Sequence, residues 1–325
     1  MTTDDRYAAI DLGGTKVRAV VAGLDGHIYS EDIRLSRASE GLEITIDTMV
    51  GALEAACAGA GVDRSNIKSL GVASPGAVDV HNGIVPEAPQ LPGWKDVPLV
   101  QLISDRLALP VWLENDANAA ALGESRFGAG KGAQHMLYMT ISTGVGGGII
   151  VDGKLYRGTR GAAGELGHIV IQADGPRCGC GGQGCLESLI SGTAIANAGE
   201  ELAAAGKAPL LAELRESEGP VTAEMMSRAA KAGDEAVAEY ADKVGLYLGS
   251  ALASYVNIFN PSVIVIGGGV SLSGEMFMDQ AIATMQERAM RGPLSDVTVK
   301  LGELQDRAGT LGMIARLSDE FDTAG

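Results

Sequence analysis

The sequence predicts an α/β protein made of two related α/β domains around a cleft, and three observations predict it. An order of strand, Gly/Thr turn, strand, Asp-Gly turn, strand runs from Tyr7 to Ile33 and recurs from His135 to Tyr156, roughly 130 residues on. Short apolar runs of strand character alternate with longer stretches apolar at helical spacing. Asn115 and Asp116 follow a strand-like run directly and precede an Ala-rich helix, the edge where open α/β sheets bind ligands.

Composition bounds the function. The 325 residues are 46% hydrophobic and 20% charged, enough for two cores in an ordinary globular protein. Forty-six glycines without a low-complexity tract point to tight turns and close backbone approaches rather than disorder. The net charge of −16, with no basic run, argues against nucleic-acid binding, which needs clustered Lys and Arg. No apolar run reaches the ~18 residues of a membrane span. The acidic start lacks a signal-peptide core, and free thiols fit a reducing compartment, so a soluble cytoplasmic protein is expected.

In chain order, Tyr7 to Ile10 is a strand that leads into Asp11-Leu12-Gly13-Gly14-Thr15-Lys16, and Val17 to Val21 follows as a second strand. The glycines therefore sit between antiparallel strands, where backbone N–H groups can approach a phosphate and Thr15 adds a hydroxyl. Asp11 is placed to hold Mg²⁺ through water; a plain hairpin with an incidental Asp is the competing reading. Asp25-Gly26 turns the chain into a third strand. Glu43 to Ala60 is an amphipathic helix, and Ile67 to Val72 a strand ended by Ser74-Pro75-Gly76, where Gly76 can bring backbone against a ligand. Four prolines between 81 and 98 predict a loop there. Leu99 to Leu107 returns to helix, Pro110 to Leu113 to strand, and Ala117 to Phe127 to helix. An Asp at that helix start also reads as an ordinary N-cap.

The second repeat places Ser142-Thr143-Gly144 in its Gly-rich turn, so two phosphate-cradling hairpins suggest a nucleotide held in the cleft. Neither turn is a P-loop, and the literal G-x-G-x-x-G at 179–184 has no strand before it. Residues 189 to 260 read as mostly helical. The strand Val263 to Ile266 runs into Gly267-Gly268-Gly269, where a base or ribose can pack on backbone, or the chain can simply turn into a helix. A helix from Met276 to Met290, a strand near Val297 to Leu301 and a last helix from Ala308 complete the chain.

Between those segments lies Glu165-Leu-Gly-His168 and then Cys178-Gly-Cys180-Gly-Gly-Gln-Gly-Cys185-Leu-Glu187. Three of the four cysteines fall within eight residues, ten positions after His168, and three thiolates with one imidazole form a common structural Zn²⁺ set. The competing reading is a Gly-rich loop without metal. A metal that fixes His168 also fixes the loop bearing Glu165 and Glu187, which can then receive the hydroxyls of a polar ligand; each alone also reads as a solvated surface glutamate.

These motifs together resemble the ROK family of repressors and sugar kinases over nearly the whole chain, and within it the bacterial glucokinases. The resemblance implies an actin-like ATPase (ribonuclease H-like) fold and ATP-dependent phosphorylation of a hexose 6-hydroxyl, glucose foremost. It implies Asp116 as the catalytic base and Gly76, Asn115, Asp116, Glu165, His168 and Glu187 around the sugar. It also implies Asp11, Gly13, Gly14, Thr15, Lys16, Thr143 and Gly144 at the phosphates, Gly267, Gly268 and Gly269 at the adenosine, and His168, Cys178, Cys180 and Cys185 on structural Zn²⁺. ATP and Mg²⁺ are the implied cofactors, and a homodimer or higher homo-oligomer the implied assembly. Domains are expected at 1–115 and 116–307, with the helix 308–325 rejoining the first. Relatives often have Asn where this chain has Gln90, which keeps mannose, N-acetylglucosamine, N-acetylmannosamine and fructose open as acceptors. A sugar-sensing regulator is the reading from another class; the acidic charge and the six residues before the first strand argue against it.

Overall fold

A computed structural model describes residues 5–269 and 275–323; residues 324 and 325 of the expected last helix lie outside them. Contacts divide the chain into a first unit (1–132, 148–164, 303–325) and a second (133–147, 165–302).

The first unit is built on a sheet of order β3-β2-β1-β4-β8, where β1 is Arg6–Leu12, β2 Lys16–Ala22, β3 Ile28–Leu35, β4 Ile67–Ser74 and β8 Val111–Asn115. Strands β1, β2 and β3 pair antiparallel, while β4 runs parallel to both β1 and β8. The period-two pattern of β1 sorts its side chains between two cores. Ala8, Ile10 and Leu12 join the helices α1 (Leu42–Gly59) and α2 (Leu99–Leu107) on one face. Tyr7 and Ala9 join α3 (Asp116–Phe127) and the C-terminal helix Ala308–Thr323 on the other. The first unit thus extends past the expected 115/116 boundary, because α3 lies against the C-terminal helix. The two backbones meet at Gly312, where a Cβ would stand 1.6 Å from the Ala119 carbonyl oxygen.

The expected loop at 81–98 is a correction: β5 (Ala77–Asp79), β6 (Ile84–Glu87) and β7 (Lys95–Val97) form a small antiparallel sheet there, in that order. Pro86 lies in the middle strand where the β5–β6 register shifts between the Ala77–Glu87 and Asp79–Ile84 pairs, the kind of irregularity at which a strand proline is tolerated.

A second sheet has the order β11-β10-β9-β12-β13, with β9 Met136–Ile141, β10 Val145–Val151, β11 Lys154–Leu155, β12 Val263–Gly267 and β13 Thr298–Leu301. Counting within each set, this is again third, second, first, fourth, fifth strand, and β9, β12 and β13 run parallel. The repeat read from the sequence is therefore a repeat of topology. In the second unit the short helix α4 (Glu187–Ile190) follows the cysteine loop, and α5 (Gly192–Ala204), α6 (Pro209–Glu218), α7 (Ala223–Ala232) and α8 (Glu235–Phe259) come after it. Gly245 and Gly249, one turn apart on α8, admit the helix Glu275–Arg288 so closely that a Cβ at Gly249 would lie 2.4 Å from the Ala281 carbonyl oxygen. Among the described residues, no helix is long and apolar enough to cross a membrane.

Candidate active site

Strand ends β1, β4 and β8 carry the first unit's site residues. Asn115 closes β8 in an extended conformation and caps α3: its Oδ1 accepts from the Asn118 N–H at 3.0 Å. Asn115, not Asp116, is the N-cap, which removes the ordinary-cap explanation for Asp116. The Asp116 Oδ1 accepts from the Ala117 N–H at 2.8 Å and from Asn115 Nδ2 at 3.0 Å, which fixes the carboxylate's direction. Asn115 Nδ2 also donates to the Gly76 carbonyl at 3.1 Å. Gly76 has φ 85, and a Cβ on it would meet the Glu87 carbonyl oxygen at 2.3 Å, so the turn needs glycine on two counts.

Asp11, at the end of β1, is partly buried. Burial, and then the charge of Asp116, push its carboxyl up to about 7, against the opposing pull of Arg18 across the β1–β2 pair. Gly309 at the start of the C-terminal helix has no Cβ to displace it; one would lie 2.5 Å from Asp11 Oδ2. A partly protonated carboxyl beside a second carboxylate fits a site for a divalent cation, whose charge would favour both anions. The Gly13 N–H closes the turn onto the Lys16 carbonyl at 2.8 Å. Gly14, Thr15 and Lys16 are exposed, and Ser36 ties the turn down by donating from Oγ to the Gly14 carbonyl at 2.7 Å.

The second unit holds the remaining residues. The Ser142–Val145 turn is fixed by the N-terminus of α5: Gly192 N–H donates to the Ser142 carbonyl at 2.7 Å and Thr193 Oγ1 to the Thr143 carbonyl at 2.9 Å. Gly267 ends β12, and Gly268 has φ 88 and sits against Ile141; a Cβ on Gly269 would meet nothing within 4 Å.

His168, Cys178, Cys180 and Cys185 converge, their ligand atoms all within 4.8 Å of one another. Ordinary Zn–S and Zn–N lengths in a tetrahedron require about 3.8 Å between sulfurs and about 3.6 Å between sulfur and nitrogen. The Cys180–Cys185 sulfurs are 3.8 Å apart, and Cys178 Sγ is 3.6 Å from His168 Nδ1. Burial pushes the Cys178 thiol up to about 12 and raises Cys185, while the Gly182 N–H lowers Cys180, so a cation is needed to hold all three as thiolates. The donor set fits Zn²⁺. With Nδ1 on the cluster, His168 Nε2 faces the other way, 3.8 Å from Glu165 Oε2. The His168 turn is anchored by Tyr255 Oη, which donates to the Leu166 carbonyl. Glu165 is exposed and Glu187 partly buried.

Two residues of consequence carry no sequence signal as motifs. Arg157 pairs with the buried Glu114 beside Asn115, and Arg18 binds Glu31 and Asp306 while facing Asp11. Each depends on a partner distant in sequence, which no local pattern announces.

Comparison with known proteins follows the same pattern. The ROK family profile matches residues 7–320. A glucokinase of Thermotoga maritima is 35% identical over 97% of this chain and 98% of its own. A xylose repressor of Caldicellulosiruptor bescii is 32% identical over 96% of this chain and 78% of its own. A crystal structure of a ROK family glucokinase from Streptomyces griseus in complex with glucose and AMPPNP aligns with a TM-score of 0.82 and 34% identity, covering 97% of this chain and 99% of that one.

Proposed function

Because this chain belongs to the ROK family and is a sugar kinase, we propose that it transfers the γ-phosphoryl group of ATP to the 6-hydroxyl of glucose. Its fold is the actin-like ATPase fold of that family's sugar kinases. The observation that supports the reading most is the fixed carboxylate of Asp116, which a sugar-binding regulator would not require.

In this reading Asp116 accepts the proton of the 6-hydroxyl as its oxygen attacks the γ-phosphorus, and ADP leaves in line. Gly76, Asn115, Glu165, His168 and Glu187 receive the sugar. Gly13, Gly14, Thr15, Lys16, Thr143 and Gly144 surround the phosphates, and Gly267, Gly268 and Gly269 take the adenosine. Asp11 holds Mg²⁺, which supplies charge neutralisation at the phosphates when bound. His168, Cys178, Cys180 and Cys185 hold Zn²⁺, which orients His168 through Nδ1 and leaves Nε2 for a hydroxyl.

ATP-dependent phosphorylation of glucose, mannose, N-acetylglucosamine, N-acetylmannosamine and fructose, and polyphosphate in place of ATP, tests the proposal. Glucose should be turned over fastest with ATP. Dominance of another hexose would move the specificity to the Gln90 region, and sugar binding without turnover would favour the regulator that the xylose-repressor similarity keeps in view.

A further inference from the structure

Glu187 is expected at the sugar, yet its carboxylate is engaged at the Gly-rich turn. Oε2 accepts from the Val145 N–H at 2.9 Å, and Oε1 lies 3.5 Å from Cys178 Sγ. Val145 is only 3% exposed, so its N–H depends on a protein acceptor, and a carboxylate makes the stronger kind of bond. The approach is also built into the turn. A Cβ on Gly144 would stand 2.6 Å from the same oxygen, so any larger residue there would push the carboxylate off the turn. Gly192 and Thr193 hold the turn's first two carbonyls, and Glu187 holds its far end.

We propose that Glu187 is a positioning residue for the nucleotide: it braces the Ser142–Val145 turn against the cysteine loop and thereby sets nucleotide affinity independently of the sugar. The proposal rests on the reading of Thr143 and Gly144 as phosphate-binding residues. The carboxylate holds the turn through Oε2, and Glu187 follows Cys185 by two residues, so its backbone is carried by the metal-ligand loop. Holding that loop rigid with its metal holds the brace rigid, so the metal's effect reaches the nucleotide as well as His168.

The test uses Glu187→Ala, Glu187→Gln and the parent, each checked for metal content, with nucleotide binding measured by calorimetry in the absence of sugar. Amide hydrogen exchange over 142–147 is read in parallel. Glu187→Gln keeps an acceptor for the Val145 N–H, whereas Glu187→Ala removes it. The expected result is nucleotide binding weakened about tenfold in Glu187→Ala and about threefold or less in Glu187→Gln, with faster exchange over 142–147 in the alanine variant only. Chelating the metal from the parent should also speed exchange there. Unchanged exchange in Glu187→Ala, or nucleotide binding equal to or tighter than the parent's, would overturn the brace. Unchanged exchange after chelation would overturn its link to the metal loop. If Glu187→Ala does not fold, Glu187→Asp, whose shorter side chain withdraws the acceptor from the Val145 N–H, takes its place: faster exchange over 142–147 supports the brace and parental exchange overturns it. A parent that binds no nucleotide overturns the sugar-kinase reading instead, and the exchange data alone then judge the brace.

Discussion

Arg157 Nε donates to Glu114 Oε2 at 2.8 Å, and the Glu114 side chain has no exposure to solvent. Its other oxygen accepts from the Asn115 N–H at 3.1 Å and from Asn118 Nδ2 at 3.3 Å, so one buried carboxylate organises the β8–α3 junction that presents Asp116. Arg157→Met leaves that charge unpaired and should destabilise the protein by about 3 kcal/mol. Adding Glu114→Gln removes the charge and should restore part of the loss. Urea denaturation of the two single variants and the double variant checks this; a double variant no more stable than Arg157→Met contradicts it.

Asp116→Asn keeps the shape of the side chain and its hydrogen-bond acceptor while removing the proposed base. The kcat should fall by about 10³-fold, with glucose binding within a few-fold of the parent. Turnover and equilibrium sugar binding, measured side by side, separate this from a loss of binding.

Asp11 gives the apo protein a pH dependence of definite sign. Its folded pKa is raised from 3.8 to about 7, so the folded state holds a proton that the unfolded state releases between those values. Its contribution is absent below pH 3.8 and grows more unfavourable up to about pH 7, to a ceiling on the order of 4 kcal/mol. Asp11→Asn should therefore raise the melting temperature at pH 8 and do little near pH 4. Thermal melts across that range provide the check, and equal shifts at both ends would contradict it.

Metal removal should loosen the loop 168–187, because hydrogen bonds alone then hold four converging donors. Chelator-treated protein should melt at a lower temperature and bind glucose more weakly, and Zn²⁺ should reverse both. Metal retention should fall as pH falls, since protons compete for the thiolates.

Gly312→Ala should cost about 3 kcal/mol or more, because the obstructing atom is the Ala119 backbone oxygen and the two helices must separate. Gly292→Ala, where a Cβ meets nothing within 4 Å, is the control and should change stability by less than about 1 kcal/mol. Denaturation midpoints of the two variants give the comparison.

Much of the fold was legible because its signals are local. Turn chemistry at Gly13-Gly14 and Asp25-Gly26, the short apolar runs of β1 and β2, and helical periodicity in α1 and α8 each lie within a short window. The small sheet at 77–97 was not legible, because four prolines suggest a loop until the fold places Pro86 at a register shift between β5 and β6. The convergence of Cys178, Cys180 and Cys185 was legible from their clustering, and His168 joined them through proximity in sequence. Arg157 and Arg18 were not, since each matters through carboxylates on other strands or distant segments that no local pattern announces.

By itself the sequence determined the two-fold repeat, the acidic and glycine-rich character, the Cys/His cluster and the family resemblance, all of which are written in residue type and spacing. Only the tertiary structure decided that Asn115 caps α3 and so fixes Asp116, that Asp11 is pushed up to about 7, and that Glu187 reaches the Val145 N–H. Those properties arise from burial and from partners brought within hydrogen-bond distance, and neither exists until the chain has folded.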